Sequence, residues 1–170
     1  MSRGRFEDVV LPYADAAYNL ARWLTKNDHD ADDVMQEAML RAYKFYPGLR
    51  GEARPWLLAI VRNACWTWLE KNRPAELAIV EEPEADTPGP DVLLARELDR
   101  RALNDAIATL AVPFREALVL RELEELSYKQ IAQIAEVPIG TVMSRLARAR
   151  RMLAEKLSPG TAAPRLRVHK

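Results

Sequence analysis

Three groups of side chains in this sequence have the types and spacing for binding chemistry. The first is basic. Between Ile139 and Lys156 stand Arg145, Arg148, Arg150, Arg151 and Lys156 against a single acid, Glu155, a net of +4. A helix that merely faces water mixes signs; a one-sign face suits the phosphates and base edges of a nucleic acid. The second is acidic: Asp28, Asp30, Asp32, Asp33 and Glu37, with Gln36 among them. Asp33 and Glu37, and likewise Asp32 and Gln36, are four residues apart and share a helix face. Clustered carboxylates suggest a divalent metal or a general-acid pair. Yet His29 is the one histidine nearby and no Glu-x-x-His pattern is present. Acids at a helix start also stabilise it through the dipole. The better reading is a capped, solvated helix start that docks on a basic partner. The third group is aromatic: Tyr43, Phe45, Tyr46, Trp56, Trp66 and Trp68, interleaved with Lys44, Arg50, Arg54 and Arg62. Such a set serves equally as a helical core or as a platform for unstacked single-stranded bases.

Catalysis has no candidate residues. The chain offers no paired nucleophile and base, no glycine-rich phosphate loop and no metal-ligand cluster, so neither enzyme activity nor a cofactor is expected.

Positioning these groups requires helices. Ser127-Tyr128-Lys129-Gln130 is a capping box opening a helix with Ile131, Ala132, Ile134 and Ala135 on its apolar side. Pro138 stops it and Gly140 is expected to supply the tight turn. Val142, Leu146, Ala149 and Leu153 then recur at helical spacing, with Thr141, Ser144, Arg145, Arg148 and Arg151 mostly on the other faces. Helix, tight turn and cationic helix make a helix-turn-helix, whose second helix enters a DNA major groove. Arg145, nearer the N-terminal end, suits a base contact; Arg148, Arg150 and Arg151 suit phosphates. Upstream, Phe6, Val9, Val10, Tyr13, Ala17, Leu20 and Leu24 form one stripe. Asp28 and Asp30 are expected to cap a helix from about Ala31 to Tyr46, and Pro55 to open a long one.

The zero net charge of these 170 residues conceals segregation. Residues 1–75 carry a net of +1, residues 76–99 a net of −7 and residues 100–170 a net of +6. The acidic part includes EEPEADTPGPD and reads as a flexible linker. The expected fold is therefore all-α, two small helical domains joined by an acidic linker. The divisions fall at 6–75, 76–93, 94–157 and a basic tail at 158–170. Hydrophobic content of 49% supports a core. One cysteine, Cys65, excludes an internal disulfide and is expected to be buried and inert. No apolar run approaches a membrane span and no signal-peptide core is present, so a cytoplasmic protein is expected.

At this point the residues resemble a family, the sigma-70 class of sigma factors, and within it the short extracytoplasmic-function group. Asp30-Ala31-Asp32-Asp33-Val34-Met35-Gln36-Glu37-Ala38 resembles the acidic polymerase-binding segment of sigma region 2. Trp56-Leu57-Leu58-Ala59-Ile60-Val61-Arg62-Asn63 resembles its promoter-recognition helix. The stretch from Ser127-Tyr128 through Gly140-Thr141-Val142 and Ser144-Arg145-Leu146 to Arg148-Ala149-Arg150 is similar to region 4. Leu49 and Met39 stand where the family often has Phe. The resemblance implies a transcription initiation factor without region 3. Asp32, Asp33, Gln36 and Glu37 would bind core RNA polymerase. Phe45, Tyr46, Leu49, Arg50, Arg54, Arg62 and Asn63 would hold the minus-ten element of promoter DNA. Thr141, Ser144, Arg145, Arg148, Arg150 and Arg151 would read the minus-thirty-five element. A cognate anti-sigma factor is implied as inhibitor. The alternative is a two-domain helix-turn-helix regulator that does not bind polymerase.

Overall fold

In a computed structural model the described residues are 4–79 and 100–157. The linker from residue 80 to 99 and the tail from 158 lie outside them, so those expectations are not addressed by the fold.

The described secondary structure is helical throughout. The N-terminal half holds α1 (Phe6–Val9), α2 (Ala14–Thr25), α3 (Asp28–Phe45) and α4 (Ala53–Asn72). The C-terminal half holds α5 (Arg100–Ala108), α6 (Val112–Leu118), α7 (Tyr128–Ala135) and α8 (Ile139–Lys156), with a π-helical turn at Val119–Leu123 after α6. Helices α2, α3 and α4 pack on one another through small and branched residues: Ala17, Leu20 and Leu24; Ala31, Val34, Ala38 and Ala42; Leu57, Leu58, Val61 and Leu69. The small buried residues of α3, Ala31, Ala38 and Ala42, let its neighbours approach closely.

Helix starts and stops follow local chemistry, with three departures from expectation. Asn27, not an aspartate, caps α3, its side chain accepting from the Asp30 amide at 3.0 Å. Asp28 and Asp30 fall inside the first turn, where the dipole favours them. Pro55 is the third residue of α4, not the first; that position also lacks an intrahelical acceptor for an amide, so the ring does no harm. The turn between α7 and α8 does not depend on Gly140, which lies in the first turn of α8. Its left-handed residue is Glu136, at φ 58°, which closes α7 by returning its amide to Ala132. A side chain pays a steric penalty there that glycine avoids. Glu136→Gly should therefore stabilise the protein by up to about 1 kcal/mol in chemical denaturation. The Ser127 capping box forms as expected, with bonds of 3.1 Å and 2.9 Å in the two directions.

The two halves do not stand apart. One contiguous core runs from Val10 to Leu153, and α2 and α4 pack against α6 and α7. Helix α6 lies between α2 on one side and α8 on the other, and every residue from Val112 to Leu118 is buried. A helix enclosed on all faces is expected to be apolar all round. This one carries Arg115 and Glu116.

Candidate functional site

The acidic face is built as its spacing requires. Val34, Ala38 and Ala42 hold α3 to the core, which leaves Asp32, Asp33, Gln36 and Glu37 exposed on the opposite side. Glu37 has a basic neighbour one turn on, Arg41 at 3.2 Å, and Asp33 lies 3.9 Å from His29. Such exposed pairs are worth little and leave the carboxylates available. Asp30 is engaged internally, bonded to Arg73 at 3.0 Å. The same face continues into Leu40, 73% exposed, and Tyr43, 65% exposed. Sequence reasoning missed Leu40. The signal was present, since 33, 37 and 40 follow one helical stripe that should have ended in a polar residue.

The aromatic and basic group splits. Phe45 and Arg50 are exposed, and so is Asn63 on α4. Tyr46 and Leu49 are core residues: Tyr46 stacks edge-on against Phe6 and Trp56, and Leu49 is 6% exposed. Both are expected DNA contacts that the fold turns inward in this arrangement. Leu49 is a core residue within the loop, and Gly51 two residues on takes φ 76°. Burial raises the Cys65 thiol pKa further, as the sequence suggests for an inert core cysteine.

Arg54 and Arg62 are also occupied, and their partners come from the other half. Arg62 is 7% exposed; its Nε donates to Glu116 at 2.6 Å and its guanidinium stacks 4.0 Å from the centre of Trp66. The Trp66 indole N–H donates to the same carboxylate at 2.9 Å. Arg54 bonds the backbone and, at 2.9 Å, the side chain of Glu124, which is itself buried. Arg115 completes the seam. It donates to the carbonyls of Trp23 at 2.8 Å and Leu24 at 3.1 Å across the boundary, and to those of Ala108 and Leu110 in its own half. Burial pushes the Arg115 guanidinium pKa down and Glu76, 3.5 Å away, draws it back. No local pattern announces the hydrogen bonds across the boundary, because the partners are 50 to 92 residues apart.

On α8, Val142, Leu146, Ala149 and Leu153 face the core as expected. Thr141, Ser144, Arg145, Arg148, Arg150 and Arg151 are all half-buried. Arg145 lies towards the seam: burial lowers its pKa, Glu116 counters and Arg62 adds to the lowering. Arg148 stacks 4.9 Å from the Phe114 ring and Arg150 pairs with Glu122 at 2.9 Å. Met143 is exposed. Among the described residues no group of three or more His, Cys, Asp or Glu could hold a metal, and no helix is long and apolar enough to cross a membrane.

A helical unit with an exposed acidic face, followed by a helix-turn-helix unit with a basic second helix, defines a class of nucleic-acid-directed adaptor. Comparison with known proteins is specific. Residues 9–74 match the model of sigma-70 region 2 and residues 100–153 that of sigma-70 region 4. The ECF RNA polymerase sigma-E factor of Haemophilus influenzae is 36% identical over 155 residues, covering 82% of this chain and 80% of that protein. The Escherichia coli K12 sigma-E factor is 34% identical, covering 76% and 75%. Among solved structures, the sigma factor RpoE of Bartonella quintana, in complex with the anti-sigma factor NepR, superposes with a TM-score of 0.70. It is 26% identical, with 91% of this chain and 98% of that one covered. CnrH, in complex with the cytosolic domain of CnrY, has the same fold at 23% identity and a TM-score of 0.65, over 92% and 89% of the chains. The chain belongs to the sigma-70 family, with the extracytoplasmic-function sigma factors.

Proposed function

We propose that this protein is a promoter-specificity factor of RNA polymerase, working in the cytoplasm. It binds the core enzyme through α3, holds the minus-ten element with the Pro47–Ala53 loop and α4, and reads the minus-thirty-five element with α8. The observation that carries the reading is the pairing of an exposed acidic face, Asp32, Asp33, Gln36 and Glu37, with a helix-turn-helix in one chain. A stand-alone regulator has no use for the first. Leu40 gives that face an apolar centre, with the carboxylates as its rim.

Two states follow from the seam. In the closed form Arg54 and Arg62 are bonded to Glu124 and Glu116, so neither is available to nucleic acid. Promoter recognition on the polymerase requires the halves to part. An anti-sigma factor that favours the closed form would silence the protein, a role supported by the Bartonella quintana relative bound to NepR.

The test is binding to core polymerase. Asp33→Lys with Glu37→Lys, and separately Leu40→Ala, should each weaken association by about tenfold or more while circular dichroism stays unchanged. The charge reversal should lose most of its effect at high salt, whereas Leu40→Ala should not. Unchanged affinity in both would remove α3 from the interface. Arg50→Ala gives a cleaner test of the loop than any change at Leu49, which would open a core cavity. It should lower open-complex formation, seen by permanganate reactivity of unpaired thymines, more than initial promoter binding.

A further inference from the structure

From Thr141 to Ala154, among the described residues of α8, Met143 is the one exposed side chain, at 52%. Ile139, one turn earlier and 44% exposed, extends an apolar strip to the N-terminal end of the helix. Packing does not explain it. The core side is made by Val142, Leu146, Ala149 and Leu153, and at about 100° per residue Met143 lies roughly a quarter turn from that side. Ser144 and Arg151 lie opposite the core, so Met143 borders the polar face rather than the core.

Near the N-terminus of a recognition helix, side chains meet base edges. The remainder of this face supplies donors: Thr141, Ser144, Arg148 and Arg151. An unbranched thioether has no partner among phosphates. The one apolar group that base pairs present in the major groove is the thymine C5-methyl. Methionine, flexible and polarizable, adapts well to such a contact.

Resting on the promoter-reading function above, we infer that Met143 is a specificity-determining residue that reads the methyl group of a thymine in the minus-thirty-five element. The contact buries about one methyl, so its loss costs about fourfold in affinity.

The experiment uses the full chain assembled with core RNA polymerase. Sites are first selected from duplex DNA randomised across the minus-thirty-five element. Each thymine of the selected site is then replaced singly by deoxyuridine, which removes the methyl and nothing else. The wild-type protein should lose about fourfold at one thymine. Met143→Ala should lose the same factor on thymine DNA and nothing more on the deoxyuridine version. Met143→Leu should restore the discrimination. The inference is overturned if Met143→Ala distinguishes thymine from deoxyuridine as the wild type does, or if every thymine of the selected site can be replaced without cost. Failure of the wild-type complex to select any sequence is a different result, which would count against promoter reading itself.

Discussion

Glu116→Ala should part the two halves of the molecule while leaving each of them folded. In the closed form the carboxylate answers two donors, the Arg62 guanidinium at 2.6 Å and the Trp66 indole at 2.9 Å, and is 1% exposed. Removing one member of a buried ion pair costs about 3–5 kcal/mol, because the other charge is left without compensation. Within either half that cost would destabilise the fold. Here a cheaper relief exists: the seam opens and water solvates Arg62. The expected readouts are a larger radius of gyration in small-angle scattering and red-shifted emission from Trp66. Affinity for single-stranded minus-ten DNA should rise by about tenfold or more, since closure no longer competes for Arg62. Glu116→Gln keeps the shape and an acceptor for Trp66 and should fall between. An unchanged scattering profile with a lowered melting temperature would mean that the pair supports the fold without controlling closure.

Arg115→Ala should have the other large effect, a loss of about 3–5 kcal/mol in overall stability. Its guanidinium is wholly buried and bonded to four carbonyls, those of Trp23 and Leu24 at the end of α2, of Ala108 at the end of α5 and of Leu110 just beyond it. Last-turn carbonyls have no partner within their own helix. One planar fork therefore closes two helix ends, one in each half, and its loss strands both. Arg115→Lys should rescue little, because a point charge on a flexible stem cannot match four diverging acceptors. Urea denaturation followed by circular dichroism provides the measurement. A loss under 1 kcal/mol would show that water replaces the side chain. The two variants differ in kind: Glu116→Ala loosens the seam, whereas Arg115→Ala also unsettles the C-terminal half.

The elements that were legible in the sequence are those specified by neighbours along the chain. The Ser127–Gln130 capping box and the apolar spacing of α8 depend on contacts within a few residues, and each forms as expected. The acidic face of α3 was legible for the same reason. Burial of charge was not. A basic residue next to aromatics, such as Arg62 near Trp66, reads equally as a nucleic-acid contact or as half of a distant ion pair. The choice depends on Glu116, which packing alone brings to it. Arg145 follows the same rule, lying on the α8 flank that meets the seam. Tyr46 and Leu49 show the reverse case: beside and within a polar, glycine-bearing loop, two side chains expected on DNA pack into the core in this arrangement. The left-handed residue of the turn is Glu136 and not Gly140, and a glutamate carries no local sign that it will take that conformation.

Reconstituted transcription tests the central claim most directly. Purified protein is added to core RNA polymerase, with duplex templates carrying the site selected on randomised DNA. The account predicts a stable complex with the core enzyme and transcripts that start at a fixed point downstream of the selected site. Initiation should fall sharply with the Asp33→Lys and Glu37→Lys pair and rise with Glu116→Ala. Binding of the protein to that DNA without any association with core polymerase, and without initiation, would contradict it and leave a stand-alone helix-turn-helix regulator.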